Sequence, residues 1–251
     1  MLNVTPGPVT RIVLNRPEVR NAFNDELITM LANAFANLGK GTRAVVISGE
    51  GEAFCAGGDL EWMRRASGYT PDENRRDALR LARLFRAVVD CPAVVIARVA
   101  GAAFGGGCGL VAAADIAIAS TDAKFAFSEV RLGLIPATIS PFVIPKIGAG
   151  HARALFTTGE AFDAGHAFRI GLVHEIVARE ELDAAVARKL KLVFAAGPEA
   201  IRQAKRLIQD HPLSLDEVSR RLADLRAGKE GQEGVAAFLE KRKASFVADL
   251  T

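Results

Sequence analysis

Two glycine-rich clusters are the parts of this chain whose residue types point most directly to chemistry. Phe54-Cys55-Ala56-Gly57-Gly58-Asp59 and Phe104-Gly105-Gly106-Gly107-Cys108-Gly109 each stand before a predicted helix. Glycine lets the backbone take unusual dihedrals and lets a ligand approach closely. A helix N-terminus presents unpaired N–H groups and a partial positive charge. Two such ends meeting at one point would offer two donors to one oxygen. That is an oxyanion hole, in which each donor is typically worth a few kcal/mol in the transition state. The same glycines would also serve close helix–strand packing, and their spacing leaves both readings open. Other site patterns are missing. GxxxxGK[ST] and GxSxG do not occur. Gly49-Glu50-Gly51 is followed at 54 by Phe, so GxGxxG is not completed. His174-Glu175 starts like HExxH, but position 178 is Ala.

The elements that must position these clusters follow a repeat. Ala44-Val45-Val46-Ile47 leads to Gly49, Phe54 and Gly57-Gly58; Ala93-Val94-Val95-Ile96 leads to Gly101, Phe104 and Gly105-Gly106-Gly107. The offset, 93 − 44 = 49, suits a repeated supersecondary unit of strand, short strand, glycine cluster and helix. A third unit runs Ile116–Ala119, Lys124–Phe127, then Ser128-Glu129. Before the repeats, Val9–Leu14 is a predicted strand, and Asn24 caps a predicted helix closed by Gly39. Between them, Arg75–Val89 is predicted helical, with Ala78, Leu81, Ala82, Phe85 and Val88/Val89 on one face.

Near Gly197 the character changes. Residues 1–196 are assigned to an α/β core and 197–251 to a helical C-terminal region. Within the latter, Pro198 to Ile208 and the segment capped by Ser214 are predicted helices. Lys229–Gly234 is expected as a polar, glycine-broken loop before a last helix over roughly Gly234–Phe246. This region has apolar faces but little bulk, so it should pack on the core or on another subunit.

Thirty-two basic residues against 29 acidic ones give a charge of +3, which does not argue for nucleic acid as main partner. The three cysteines form no CxxC pair and suit a reducing cytosol. Cys55 and Cys108 are expected as small packing residues. The four histidines lack metal spacing. The apolar stretch Ala93–Ala119 is interrupted by Arg98 and Asp115 and is rich in glycine, so a buried core is expected rather than a membrane span. With no signal-peptide pattern at the start, a cytoplasmic location is expected.

Taken in order, Leu14–Phe23, Phe54–Leu60, Gly105–Leu110, Phe127–Pro136 and Phe238–Arg242 resemble the enoyl-CoA hydratase (crotonase) family from about Val4 to Phe246. The resemblance implies an α/β spiral of ββα units with a helical C-terminal region used in trimers, often paired into hexamers. It implies an acyl-CoA substrate, with no cofactor beyond the coenzyme A of the thioester itself. The two oxyanion N–H groups fall on Gly58 and Gly106. Ala22 and Ala56 fall where the backbone meets the adenine end of coenzyme A. Asp59, Leu60, Pro136 and Phe238 complete the expected contact set. Lys241 matches a basic residue reaching the 3′-phosphate from a neighbouring subunit.

Glu129 matches one of the family's two catalytic glutamates, and a carboxylate beside an apolar pocket has its pKa pushed up, which suits proton transfer. The second glutamate is expected at 129 − 20 = 109, where this chain has Gly109. After Pro136, Ala137–Phe142 also departs from the glycine-rich segment of many members. Both departures resemble bacterial methylglutaconyl-CoA and isohexenylglutaconyl-CoA hydratases, whose substrates carry an extra carboxylate. That carboxylate, or Thr138 or Ser140, would then replace part of the missing glutamate. Arg131 is expected as an ordinary ion-pair residue, Asp59 as a helix cap and Asp115 as structural. The alternatives are a Δ3,Δ2-enoyl-CoA isomerase, which needs one carboxylate, and a non-catalytic homologue that binds CoA thioesters or RNA.

Overall fold

The computed structural model describes Met1–Asp249; the last two positions of the region assigned to 197–251 lie outside the described residues. Each repeat unit delivers one strand to a large sheet and one to a small sheet, and then turns into a helix. The large sheet orders β1 (Leu2–Thr5), β2 (Val9–Leu14), β3 (Ala44–Gly49), β5 (Val94–Val99), β7 (Ile116–Ser120) and β10 (Glu175–Val177). The small sheet orders β4 (Ala53–Cys55), β6 (Ala102–Phe104), β8 (Lys124–Ala126) and β9 (Ala161–Asp163). Pairing is parallel except for β1 with β2 and β8 with β9. This is the expected spiral of ββα units.

The helices are α1 (Asp25–Ala36), α2 (Leu60–Ala66), α3 (Pro71–Val89), α4 (Gly106–Ala113), α5 (Ser140–Thr158), α6 (Ala164–Arg169), α7 (Leu182–Ala195), α8 (Pro198–Gln209), α9 (Leu215–Ala227) and α10 (Lys229–Leu239). Alternate residues of the central strands enter two cores. Val45, Ile47, Val95 and Ala97 face the main core with α1, α3 and α4, whereas Val46, Val94, Ile96 and Ile118 pack against Leu182, Val186 and Leu190 of α7. A strand covered on both faces is apolar throughout, which is why the runs Ala44–Ile47 and Val94–Ile96 do not alternate.

The sheet pairs Ala44 with Val94, one residue beyond the 49-residue repeat offset. Both faces of these strands are buried and apolar, so the repeat pattern does not enforce the register as it would in a half-exposed sheet. The Asn24-capped helix ends at Ala36 rather than at Gly39. Helix α3 starts at Pro71, because Thr70 and Glu73 form a capping box ahead of it. Lys229–Gly234 is helical, and α10 stops at Leu239 rather than continuing to Phe246. The carboxylate of Glu230 accepts from the amides of Glu199 (2.9 Å) and Ala200 (2.8 Å), so the first turn of α10 caps α8. Gly231 permits this, since a Cβ there would clash with the Leu225 carbonyl.

Polar contacts fasten the C-terminal helices to the core. Lys205 of α8 donates to Asp115 (2.6 Å) and to the Ala93 carbonyl (2.9 Å). Asp115 also accepts from the Val95 amide at 2.7 Å, which bears out its structural assignment.

Candidate active site

In the small sheet, β4, β6 and β8 run parallel, so their C-terminal ends lie in a row. The first end leads to Gly57-Gly58, the second to Gly105-Gly106 and the third to Glu129. The three features singled out along the sequence are thereby brought to one edge. The clusters touch. A Cβ on Gly57 would lie 3.1 Å from the Phe104 carbonyl and 4.0 Å from the Gly105 Cα. Gly57 (φ 95°) and Gly105 (φ 48°) both sit in the left-handed region, where a side chain would be strained.

The stretch Arg16–Phe23 holds the first cluster. The Phe23 amide donates to the Gly57 carbonyl (2.7 Å), the Asp59 amide to Phe23 (2.8 Å) and the Ala56 amide to Arg20 (2.9 Å). Fully buried Asn21 donates to the carbonyls of Ala53 (2.8 Å) and Glu50 (2.9 Å) and accepts from the Arg16 amide (2.8 Å). Arg16 donates to the Ala22 carbonyl at 2.7 Å and pairs with Asp59 at 2.8 Å. Asp59 caps α2 by accepting from the amides of Glu61 and Trp62. Burial raises its pKa, but the bonds from Arg16 and from the two amides outweigh that and hold it below the usual value.

Neither the Gly58 amide nor the Gly106 amide has an acceptor among the described residues. Gly58 is bridged to Phe23 only through its neighbours, and Gly106 opens α4, where an amide has no partner one turn back. Beside them stands Glu129, in a 3-10 turn after β8. A Cβ on Gly105 would lie 3.3 Å from its Oε1, and its Oε2 is buried without any hydrogen-bond partner. Burial raises the pKa of this carboxyl above its ordinary value.

These groups line a cavity of about 320 Å³. Its wall includes Trp62, Met63, Leu81, Leu132 and Ile135, with Asn74, Asp77 and Thr138 as polar points. The Trp62 Nε1 is a second buried polar atom without a partner. Ala56 and Gly58 are shared with a neighbouring cavity of about 670 Å³, which adds Ala22, Asp59, Leu60, Arg16, Arg20 and Arg65. An apolar chamber holding the carboxylate thus adjoins a charged one lined by three guanidinium groups and by the carboxylates of Glu18, Asp59 and Glu61.

The predicted residues divide accordingly. Gly58, Gly106, Glu129, Ala56, Ala22, Asp59 and Leu60 line one or both cavities. Pro136 is buried between Ile135 and Thr138 but does not line them. Phe238 (82 % exposed) and Lys241 lie on the surface outside both. Gly109 is buried in α4 beneath the chamber, where a Cβ would sit 2.5 Å from Ile139 and 2.7 Å from Phe85. The volume that a side chain at 109 would need is therefore filled. Thr138 faces the cavity, whereas Ser140 donates to the Ala137 carbonyl at 2.9 Å. Arg131 is exposed and makes no ion pair among the described residues, contrary to expectation. Cys55 and Cys108 are fully buried, and burial pushes the Cys55 thiol up to about 12 and that of Cys108 upward too, in keeping with packing residues.

Arg16, Asn21, Trp62 and Asp77 are site residues that the sequence reading missed. Asp77 had a signal, since it continues the α3 stripe of Leu81, Leu84, Phe85 and Val88 by one turn. Among the described residues no helix is long and apolar enough to cross a membrane, and no group of His, Cys, Asp and Glu is arranged to hold a metal.

Comparison with known proteins gives concordant matches. A family model described as enoyl-CoA hydratase/isomerase matches residues 5–249. A crotonyl-CoA hydratase of Syntrophomonas wolfei is 33 % identical over 248 residues, covering 94 % of each chain. A 1,2-epoxyphenylacetyl-CoA isomerase of Escherichia coli is 34 % identical over 257 residues, covering 97 % of this chain and 96 % of its own. The crystal structure of an enoyl-CoA hydratase from Shewanella pealeana superposes with a TM-score of 0.92 at 37 % identity, over 97 % of this chain and 95 % of the other.

Proposed function

The chain belongs to the enoyl-CoA hydratase/isomerase family of enzymes, and from that premise we propose that it adds water to the double bond of a 2-enoyl-CoA thioester. One observation carries the reading. Among the described residues, Glu129 Oε2 is buried without a partner, beside two glycine amides that also lack one. The thioester oxygen takes the place between the Gly58 and Gly106 N–H groups. As a water oxygen bonds to C3, the double-bond electrons move onto that oxygen as an enolate, where the two amides stabilise it. Glu129 takes the proton that the water gives up and returns one to C2, so atoms and charge balance. A carboxyl with a raised pKa suits both halves of that exchange.

The coenzyme A portion lies along the polar chamber, with the backbone at Ala22 and Ala56 toward the adenine. Phe238 and Lys241 act from a neighbouring subunit of a trimer or hexamer. The exposure of Phe238 and Leu239 on α10 supports that placement, since a lone subunit leaves both uncovered. Methylglutaconyl-CoA or a related branched, carboxylated enoyl-CoA is the acyl group to which the motifs point.

The filled space at Gly109 favours a second reading, Δ3,Δ2-isomerisation, in which Glu129 alone carries a proton between C2 and C4. Crotonyl-CoA, 3-methylglutaconyl-CoA and a 3-enoyl-CoA, each followed by thioester absorbance and product mass, separate the two. A gain of one water with loss of the conjugated chromophore supports hydration. An unchanged mass with a rising chromophore from the 3-enoyl-CoA overturns it in favour of isomerisation.

A further inference from the structure

Helix α3 presents Asp77, Leu81 and Phe85 at four-residue intervals, and so on one face. Phe85 marks the catalytic end of the chamber, since its ring would lie 3.8 Å from a Cβ on Gly106 and fills the space at Gly109. Asp77 lies eight residues earlier, about 12 Å back along the helix axis. That is beyond the reach of a short acyl chain, at the far end of the same chamber.

Asp77 is only 7 % exposed, at a core-facing position where stability alone would select an apolar residue. Its Oδ1 accepts from Arg80 at 2.6 Å. Its Oδ2 accepts no hydrogen bond among the described residues and is not closed off from solvent. The same Nη2 of Arg80 is 2.9 Å from Asp25, which also pairs with Arg65, so Asp77 shares that nitrogen with a second carboxylate. Among the described residues lining the chamber there is no lysine or arginine.

We propose that Asp77 determines acyl specificity: its open carboxylate oxygen accepts a hydrogen bond from a donor, such as a hydroxyl, on the distal acyl chain and repels a distal carboxylate. A second anion brought close to this carboxylate is repelled even at an effective dielectric near 20. This rests on the placement of the acyl chain given above and concerns groups at the far end of a long acyl chain; the carboxylate of methylglutaconyl-CoA, two bonds beyond C3, lies short of Asp77.

The test measures binding, so it does not depend on which reaction follows. Decanoyl-CoA, ω-hydroxydecanoyl-CoA and sebacyl-CoA, all unreactive toward hydration and long enough to reach Asp77, are titrated calorimetrically into the wild type, Asp77→Asn and Arg80→Gln. The wild type should bind the hydroxy compound roughly tenfold or more tightly than sebacyl-CoA, and Asp77→Asn should shrink that ratio about tenfold. Arg80→Gln, at an exposed position, leaves Asp77 without its neutralising partner and should widen the ratio; it serves alone if Asp77→Asn does not fold. Sebacyl-CoA bound as tightly as the hydroxy compound by the wild type, or a ratio that Asp77→Asn leaves unchanged or Arg80→Gln narrows, overturns the assignment. Tight decanoyl-CoA binding without hydration of 2-decenoyl-CoA would instead sink the hydratase reading and leave the role of Asp77 to these ratios.

Discussion

Around Gly58 the chain is tied by hydrogen bonds. Asn21 spans two carbonyls and an amide, Phe23 bridges both flanks of the glycine, and Arg16 pairs with the cap of α2. Around Gly106 it is set by packing. Its would-be Cβ lies 2.9 Å from the fully buried ring of Phe23, and every other residue of α4 is buried. Two donors that serve one oxygen are thus held by different forces, and they should fail to different insults. The first is vulnerable to deletion of a polar group, the second to addition of a methyl group.

The largest effect is expected where the two meet. Glu129→Gln should lower turnover by about 10²–10⁴-fold, the usual weight of a general acid–base group. The same change should stabilise the fold. Burial raises this carboxyl's pKa above 4.5. Between the ordinary and the raised value the folded chain holds a proton that the unfolded chain has released, so stability falls as pH rises through that window. Above it the penalty of the buried charge is complete, and glutamine removes that penalty. Denaturant midpoints at pH 8 should therefore be higher for the variant than for the wild type. An unchanged rate would remove Glu129 from the chemistry.

Next comes Gly109→Glu, which restores the two-carboxylate sequence. With Ile139 and Phe85 already in the space, a buried charge and overpacking combine, and a loss of several kcal/mol is expected. A soluble, more active variant would mean that the packing beneath α4 yields more readily than described.

The comparison itself is sharpened by a pair. Asn21→Ala strands two carbonyls and an amide and places alanine at φ 57°, at a cost of about 2–4 kcal/mol. Gly106→Ala should cost about 1–3 kcal/mol through Phe23. Double variants with Phe23→Leu should relieve the second and not the first. If Phe23→Leu rescues both, the two donors are not held separately.

The smallest effect is expected at Gly58→Ala, below about 1 kcal/mol in stability, since its Cβ would meet Met63 and Trp62 at ordinary contact distances of 3.5–3.6 Å.

Much of this was legible in the chain. The doubled Ala-Val-Val-Ile runs marked the central strands, and the glycine clusters marked the place where their helices begin. What stayed hidden depends on tertiary partners. Three-residue strands such as β9 and β10 carry too little pattern to stand out. Gly231 and Gly234 suggested a loop because glycine disfavours helices, but α9 and α8 select the helix there. The gap at Gly109 was visible as a missing carboxylate, while its occupation by a ring from α3 was not. Asp77 is hard to see in the sequence because an apolar stripe is defined by its apolar members, and a buried acid breaks that pattern.

Trp62 is the single tryptophan of the chain. Its buried, unpartnered indole N–H in the acyl chamber makes the protein its own optical probe. Excited beyond the absorption of Tyr69, emission arises from one known point, so a spectral shift on adding an acyl-CoA reports occupancy of the chamber directly. Stopped-flow recording of that signal would time substrate entry apart from the bond-making steps without any attached dye.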